Sequence, residues 1–292
     1  MKLAASNLAL PAFDHMRLLP KLAEFGVAGL EIAPFHTWRI ESDGVTSQEV
    51  REFGRMAGLA GLEIIGLHGL TGKPLQIEKL TQGAYKAKIM AQLLDLSVIC
   101  RDLGGRTMIL ETRLRGTLTD RDAWIVLRAF LDELLPQIES HGTVLCLAPL
   151  PAMETDFCAT ARECYMLTNA VDHPAFGLHL SAAALSGFGA PRHATFAAAR
   201  GRLELFHIDE PGRTLVGATG EVDHVDFRRH LVSATYKGWV SLVQASGPAD
   251  QHAARLAAAM TFVRATYFGK PLSDGERILE DRPPTRVDHG RH

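Results

Sequence analysis

Residues 106–150 read RTMILETRLRGTLTDRDAWIVLRAFLDELLPQIESHGTVLCLAPL and contain one complete β-α-β unit. The apolar runs RTMILET (106–112) and VLCLAPL (144–150) predict buried strands, and the segment 119–140 between them has helical periodicity. Gly142 follows this helix at the position where a left-handed residue commonly ends one. Because a helical crossover of this length joins parallel strands, the stretch predicts a parallel sheet.

The same alternation continues in both directions along the chain. Eight apolar runs predict strands at 2–9, 29–34, 64–70, 106–112, 144–150, 176–182, 203–210 and 239–245. Eight segments of helical character predict helices near 15–25, 46–60, 78–103, 119–140, 159–171, 191–200, 223–235 and 248–267.

Eight βα units in about 250 residues favour a closed barrel over a doubly wound sheet. No GxGxxG follows the first strand and no GxxxxGK[ST] occurs, which disfavours the nucleotide-binding α/β folds. We therefore predict an α/β protein with a single (β/α)8 TIM barrel over residues 1–269. Residues 270–292 are polar, contain prolines and lack periodicity, so we expect a surface-draping or disordered tail.

Charge and composition narrow the class of partner. The formal net charge is −2 over 292 residues, which gives no electrostatic footprint for nucleic acid or for an anionic membrane surface. We expect a small-molecule substrate and neither a nucleic-acid nor a membrane partner. The oligomeric state has no sequence signal.

The four cysteines and the N-terminus predict a cytoplasmic location. The cysteines form no CxxC pair and are too few for a disulfide framework in a chain of this length. The N-terminal stretch MKLAASNLALPAF lacks the apolar run and cleavage site of a signal peptide. No window reaches the roughly 20 apolar residues that a membrane-spanning helix needs.

Polar residues recur at the same end of six predicted strands. Since barrel active sites form at the carboxyl ends of the strands, the polar residues to consider are Asn7, Glu31, His68, Glu111, His179, Ser181, His207, Asp209 and Glu210. Side chains alternate along a strand, so His179 shares a face with Ser181, and His207 shares one with Asp209. Imidazoles and carboxylates converging on one mouth suit general acid–base chemistry or a nitrogen/oxygen metal site.

Structural roles are the alternative for each of these residues. A histidine in a strand can be a hydrogen-bonded core residue, and Glu31 or Glu111 can pair with a nearby arginine. Asp209 and Glu210 can cap the turn that Pro211 and Gly212 form. The recurrence at equivalent strand ends favours a shared functional site.

The chain resembles the sugar phosphate isomerase/epimerase family, a branch of the xylose-isomerase-like barrels, from about residue 3 to residue 267. The motifs that carry the resemblance are SNLAL (6–10), GLEIAPFHTW (29–38), CLAPLP (146–151), DHPAFGLHLSAAAL (172–185), FHIDEPG (206–212) and GWVSLVQ (238–244). The resemblance implies the same barrel and an isomerase or epimerase activity on a small polar substrate, a sugar, a cyclitol or a keto or hydroxy compound.

The resemblance also implies a divalent metal on Glu, Asp, His and Glu of strands five to eight. The matching positions here hold Ala148, Ser181, His207 and Val243. Only the histidine keeps its identity, and hard divalent ions need several oxygen ligands. We therefore expect no metal or other cofactor at the family's usual position.

Other side chains replace the family pattern around the mouth. Relatives often have a small residue at the position of Glu111, glutamine at that of His68 and lysine at that of His36. We expect an isomerase, epimerase, lyase or cyclase that uses metal-independent acid–base chemistry, led by His207 and Glu111 and supported by His179 and His68. The expected substrate-binding residues are Glu31, His36, Ser181, Asp209 and Glu210.

Two alternatives remain open at this stage. A relocated metal site could use His207, Asp209, His179 and Glu111. The chain could also be a non-catalytic relative that binds a sugar-like ligand or a partner protein, because a barrel keeps its fold when its mouth changes.

Overall fold

Eight parallel strands form the centre of the computed structural model, which describes residues 1–12, 15–38, 40, 44–116, 118–150, 154–186 and 192–269. The strands are β1 Lys2–Ser6, β2 Gly29–Ile32, β3 Glu63–His68, β4 Thr107–Arg113, β5 Val144–Ala148, β6 Phe176–Ser181, β7 Leu203–Ile208 and β8 Trp239–Leu242. Each strand pairs with the next, and β8 returns to β1 with Ala4 opposite Ser241. The predicted (β/α)8 TIM barrel is therefore confirmed.

The helices follow the strands as the sequence predicts. They are α1 Leu19–Glu24, α2 Pro34–Thr37, α3 Ser47–Leu59, α4 Gly83–Asp102, α5 Asp120–His141, α6 Ala161–Val171, α7 Ala182–Ser186, α8 Arg192–Ala199, α9 His224–Ser233 and α10 His252–Phe268. The one-turn helices α2 and α7 and a two-residue strand, Leu75–Gln76, were not predicted. They are too short to give a periodic pattern.

Local signals fix where the long helices begin and end. Thr46 and Thr160 form capping boxes, each with a glutamate three residues later, at the starts of α3 and α6. Thr119 caps α5 by accepting a hydrogen bond from the backbone N–H of Asp122. Gly142 ends α5 in the left-handed conformation, with φ of 77°.

Six of the eight predicted strands extend two or three residues too far at their carboxyl ends. The prediction 176–182 extends one residue too far, and 106–112 ends one residue early. Residues 7–9 form a 3-10 turn after β1, and Pro34 begins α2 directly after β2. Leu8, Ala9 and Ala33 continue the apolar runs past the strand ends, so hydrophobicity does not mark where the strands stop.

The barrel interior changes character along its axis. A small apolar cluster fills the interior below the mouth and consists of Ala4, Ile65, Ile109, Val144, Cys146, Ala148 and Leu205, of which Ala148 reaches the level of Glu111. On β1, β4 and β7, the interior face continues two residues later with Ser6, Glu111 and His207. The carboxyl end of the interior is therefore polar and holds the candidate site.

The predicted tail at 270–292 lies outside the described residues. None of the helices in the described ranges is long and apolar enough to cross a membrane.

Gly66 tests how tightly β3 packs on β4. A Cβ at this position would lie 2.1 Å from Oγ1 and 2.2 Å from the carbonyl oxygen of Thr107. Because backbone atoms cannot move aside cheaply, we expect Gly66→Ala to lower the free energy of unfolding by about 3 kcal/mol, measured by urea denaturation. Gly58 on α3 is the control, since a Cβ there meets no atom within 4 Å and alanine should stabilise the helix by about 0.5–1 kcal/mol. Equal stabilities of the two variants would contradict this account of the strand packing.

Candidate functional site

A buried hydrogen-bonded pair, Glu31 and His207, lies inside the polar end of the barrel. The Nε2 atom of His207 on β7 lies 3.0 Å from Oε1 and 2.9 Å from Oε2 of Glu31 on β2. Glu31 is fully buried and His207 nearly so. Burial raises the pKa of Glu31 and lowers that of His207 to about 3, so the interior favours the uncharged form of both groups.

Two further imidazoles surround His207. The ring of His179 on β6 meets it edge-on with centroids 4.1 Å apart, and the ring of His68 on β3 does so at 5.6 Å. Burial lowers the pKa of His68 to about 3 and that of His179 well below its ordinary value. All three rings are therefore neutral at neutral pH.

His179 differs from the other two in its hydrogen bonding. Both ring nitrogens are buried, and neither has a hydrogen-bond partner within the described part of the chain. An unpaired buried polar group costs free energy, so this ring is held by packing and not by bonding.

His68 connects the buried cluster to the surface. Its Nε2 lies 2.7 Å from Oγ of Ser6, and this oxygen also accepts a hydrogen bond from the backbone N–H of Leu8. The arrangement fits the tautomer in which the Ser6 hydroxyl donates to Nε2 and the ring hydrogen sits on Nδ1.

A cavity of about 250 Å³ opens at the mouth of the barrel. Three predicted site residues line it, namely His36, His68 and Glu111. The other polar lining residues are Thr71, Lys73 and Arg213. His207, Glu31 and His179 lie behind His68 and do not line it. The sequence-predicted residues are thus divided into a group facing the cavity and a group behind it.

Glu111 on β4 faces this cavity. Its Oε1 lies 4.0 Å from Nη2 of Arg213, and its side chain is 28% exposed. Its partial burial nevertheless raises its pKa. Among the described residues it has no hydrogen bond to His207, whose nearest carboxylate is that of Glu31.

Ser181 and Asp209 form a separate pair on β6 and the residues after β7. The Ser181 hydroxyl donates to the Asp209 carboxylate at 2.8–2.9 Å, and the backbone N–H of Ala183 donates to it at 2.9 Å. Burial raises the pKa of Asp209 to about 7. Neither residue lines the cavity.

The carboxylate of Glu210 organises a loop. It accepts hydrogen bonds from the backbone N–H of Gly217, from the Thr219 hydroxyl and from Nε2 of His224. The residue is 2% exposed and does not line the cavity. Its observed contacts are thus those of a structural anchor.

Sequence reasoning did not select Ser6, Lys73 or Arg213. Ser6 ends β1 inside the SNLAL motif, where its small hydroxyl gave no chemical signal. Lys73 and Arg213 lie in loops after β3 and β7, each directly after a glycine with positive φ. In the sequence, a charged residue directly after a loop glycine is the pattern that could have indicated these two positions.

The four positions implied as metal ligands have the following surroundings. Ala148 and Val243 are buried at 3% exposure each, and neither side chain has a donor atom. The Ser181 hydroxyl is used by Asp209, and Nε2 of His207 by Glu31. This donor set does not fit a hard divalent cation. Nor do the described residues contain any other trio of His, Cys, Asp or Glu that could hold a metal ion.

Comparison with known proteins gives a consistent fold. Residues 19–265 match the family described as the xylose isomerase-like TIM barrel. No curated protein sequence matches the chain.

Three crystal structures illustrate the structural similarity. A D-psicose 3-epimerase from Clostridium cellulolyticum H10 superposes with a TM-score of 0.76 at 17% identity, covering 91% of this chain and 99% of that one. A 3-keto-D-glucoside 4-epimerase from E. coli superposes with a TM-score of 0.73 at 16% identity, covering 89% of this chain and 99% of that one. A D-allulose 3-epimerase from Methylomonas sp. superposes with a TM-score of 0.70 at 21% identity, covering 85% of each chain. At identities this low, the superpositions establish that the fold is shared.

The unbonded ring of His179 gives a test of the buried cluster. An unfolded histidine binds a proton below about pH 6.5, whereas folded His179 does not, so stability must fall as the pH drops below this value. We expect His179→Leu to raise the free energy of unfolding by about 1–2 kcal/mol at pH 7 and by more at pH 5. Chemical denaturation at the two pH values measures both effects.

His224→Leu is the matched control. This histidine is equally buried, but its ring lies 2.8 Å from the Tyr267 hydroxyl and 3.2 Å from Glu210. Its loss should destabilise the protein at pH 7. A destabilised His179→Leu variant would show that the ring has a bonding partner in solution.

Proposed function

Because the chain belongs to the xylose isomerase-like TIM barrel family, we propose that it is an isomerase or epimerase that works by metal-independent acid–base chemistry. The substrate is a small polar molecule, a sugar, a cyclitol or a keto or hydroxy compound. The observation that carries the proposal is the cavity that Glu111 and His68 both line, with the Glu31–His207 pair behind His68. The similar structures named above are sugar epimerases by name, which supports the reaction class.

Glu111 is the base that removes a proton from the carbon next to the substrate carbonyl. It lines the cavity and its pKa is raised by burial. A carboxylate whose pKa moves toward the working pH both takes up and returns a proton more readily. The same residue can therefore carry the proton along one face of the enediolate from this carbon to the neighbouring one, which completes an isomerisation. Inversion at the original carbon additionally requires a proton delivered from the opposite face.

His68 stabilises the negative charge that develops on the carbonyl oxygen. With a pKa of about 3 it stays neutral, and the tautomer favoured by Ser6 directs Nδ1–H away from the serine. A neutral imidazole in a low-dielectric site donates a hydrogen bond to such an oxyanion without first losing a solvation shell.

His207, Glu31 and His179 act through His68 and do not touch the substrate. The edge contacts of the three rings fix the plane of His68, and the bond to Glu31 fixes His207. His36 contributes to binding, since it lines the cavity while its Nε2 lies 2.8 Å from the carbonyl oxygen of Leu10. A contribution to binding also comes indirectly from Ser181, Asp209 and Glu210, which shape the loops around the mouth.

Two further features of the proposal depend on side-chain chemistry. Metal independence rests on the donor-free side chains of Ala148 and Val243 and on the engaged donors of Ser181 and His207. A cytoplasmic location and the lack of a nucleic-acid partner remain predictions from the cysteine content and the net charge of −2.

Glu111→Gln tests the acid–base assignment. The protein is incubated with a panel of ketoses, keto-cyclitols and keto acids in D2O, and deuterium uptake next to the carbonyl is followed by NMR. Since general bases contribute about 10²–10⁴-fold, we expect exchange to fall by that factor while the circular dichroism spectrum is unchanged.

His207→Ala should also reduce turnover, with Glu31→Gln as a companion variant that keeps a hydrogen-bonding side chain. Full activity of His207→Ala would exclude the buried pair from the mechanism. A panel in which compounds bind but none exchanges deuterium would instead establish the non-catalytic alternative.

Metal dependence is tested on protein purified without an affinity tag. We expect elemental analysis to find divalent metal far below one equivalent, and EDTA treatment to leave the deuterium exchange rate unchanged. Stoichiometric metal together with activity lost in EDTA and restored by Mn²⁺ or Zn²⁺ would establish a relocated metal site.

A further inference from the structure

We propose that the substrate carries a single carboxylate and that Arg213 and Lys73 bind it at the rim of the cavity. The inference rests on the proposed function, because it specifies the substrate class of the same site. Both cations line the cavity together with Glu111, which is the sole Asp or Glu among the lining residues of the described chain. The rim therefore has more positive than negative charge.

The backbone holds Arg213 over the cavity at a conformational cost. Gly212 and Arg213 follow one another with φ of 66° and 55°, and a non-glycine residue rarely adopts the left-handed conformation. The Arg213 N–H donates to the Glu210 carbonyl at 2.9 Å, and its own carbonyl accepts from Ala245 N–H at 2.9 Å. Strain of this kind persists where surrounding structure fixes it, and it concentrates at functional sites.

The buried carboxylate of Glu210 supplies this fixing. It bonds Gly217, Thr219 and His224, and His224 reaches the hydroxyl of Tyr267 on α10 at 2.8 Å. The loop that carries Arg213 is thus tied to the outer helix of the barrel. A bulky charged residue placed this firmly at a cavity has a binding role and not merely a solvated one.

Both cations have donors available for a ligand. Arg213 is 51% exposed, and its nearest carboxylate oxygen, on Glu111, lies 4.0 Å away, beyond hydrogen-bond distance. Lys73 is exposed and forms no ion pair with any described residue. A ligand carboxylate can therefore accept a paired hydrogen bond from the guanidinium and a second contact from the ammonium group.

The charge balance favours a carboxylate over a phosphate. With Glu111 ionised, the rim carries two positive charges and one negative charge, which matches a ligand with one negative charge. A phosphate brings nearly two, and its second charge would face Glu111 across the same cavity. The site therefore discriminates by charge as well as by shape.

Isothermal titration calorimetry with three ligands of one carbon chain tests the inference: D-gluconate, neutral D-glucitol and D-glucitol 6-phosphate. We expect D-gluconate to bind at least about tenfold more tightly than either of the others, and its affinity to fall as NaCl rises. Lys73→Gln should remove most of this preference, whereas Lys73→Arg should keep it. Lys88→Gln is the control, since this exposed lysine of α4 does not line the cavity.

Lys73 is the better residue to vary, because Arg213 also acts electrostatically on Glu111 and His207. Equal affinity for gluconate and glucitol, tighter binding of the phosphate, or a gluconate preference that survives Lys73→Gln would each overturn the inference. Loss of deuterium exchange in Glu111→Gln bears on the proposed function alone, so a failure of either proposal can be told apart from a failure of the other.

Discussion

The hydrogen bond between Glu31 and His207 depends on closure of the barrel. The two residues are 176 positions apart in the chain and lie on β2 and β7. Only a sheet whose last strand pairs with its first brings these strands to opposite sides of one narrow interior. Once both groups are enclosed, desolvation raises the pKa of Glu31 and lowers that of His207, and so disfavours the charged form of each.

The neutrality of the interior determines what the site can do. Three imidazoles packed edge to edge would repel one another if protonated, and burial keeps their pKa values low. The three rings are therefore not sources of positive charge. Positive charge is instead supplied by Arg213 and Lys73 at the rim, where contact with solvent stabilises the charged side chains.

The sequence predicted the barrel, all eight strands and the long helices, because period and glycine positions are local properties. It also identified His36, His68 and Glu111, which do line the cavity. It did not predict that His207 bonds Glu31 and not Glu111, since strand-end position says nothing about which side chains meet across the interior. Lys73 and Arg213 were missed because loop geometry, not strand pattern, places them.

The cavity and the positions implied as metal ligands lie in different parts of the barrel. The ligands of the usual family metal would lie on β5 to β8, where Ala148 and Val243 leave no donor side chains. The cavity is lined by residues after β1 to β3, by Glu111 of β4 and by Arg213 after β7. The polar lining of the cavity thus comes mainly from the first half of the barrel, whereas the positions that the resemblance implies as metal ligands lie in the second half. A barrel tolerates varied side chains at its mouth, because strand pairing and the buried apolar residues hold the strands together.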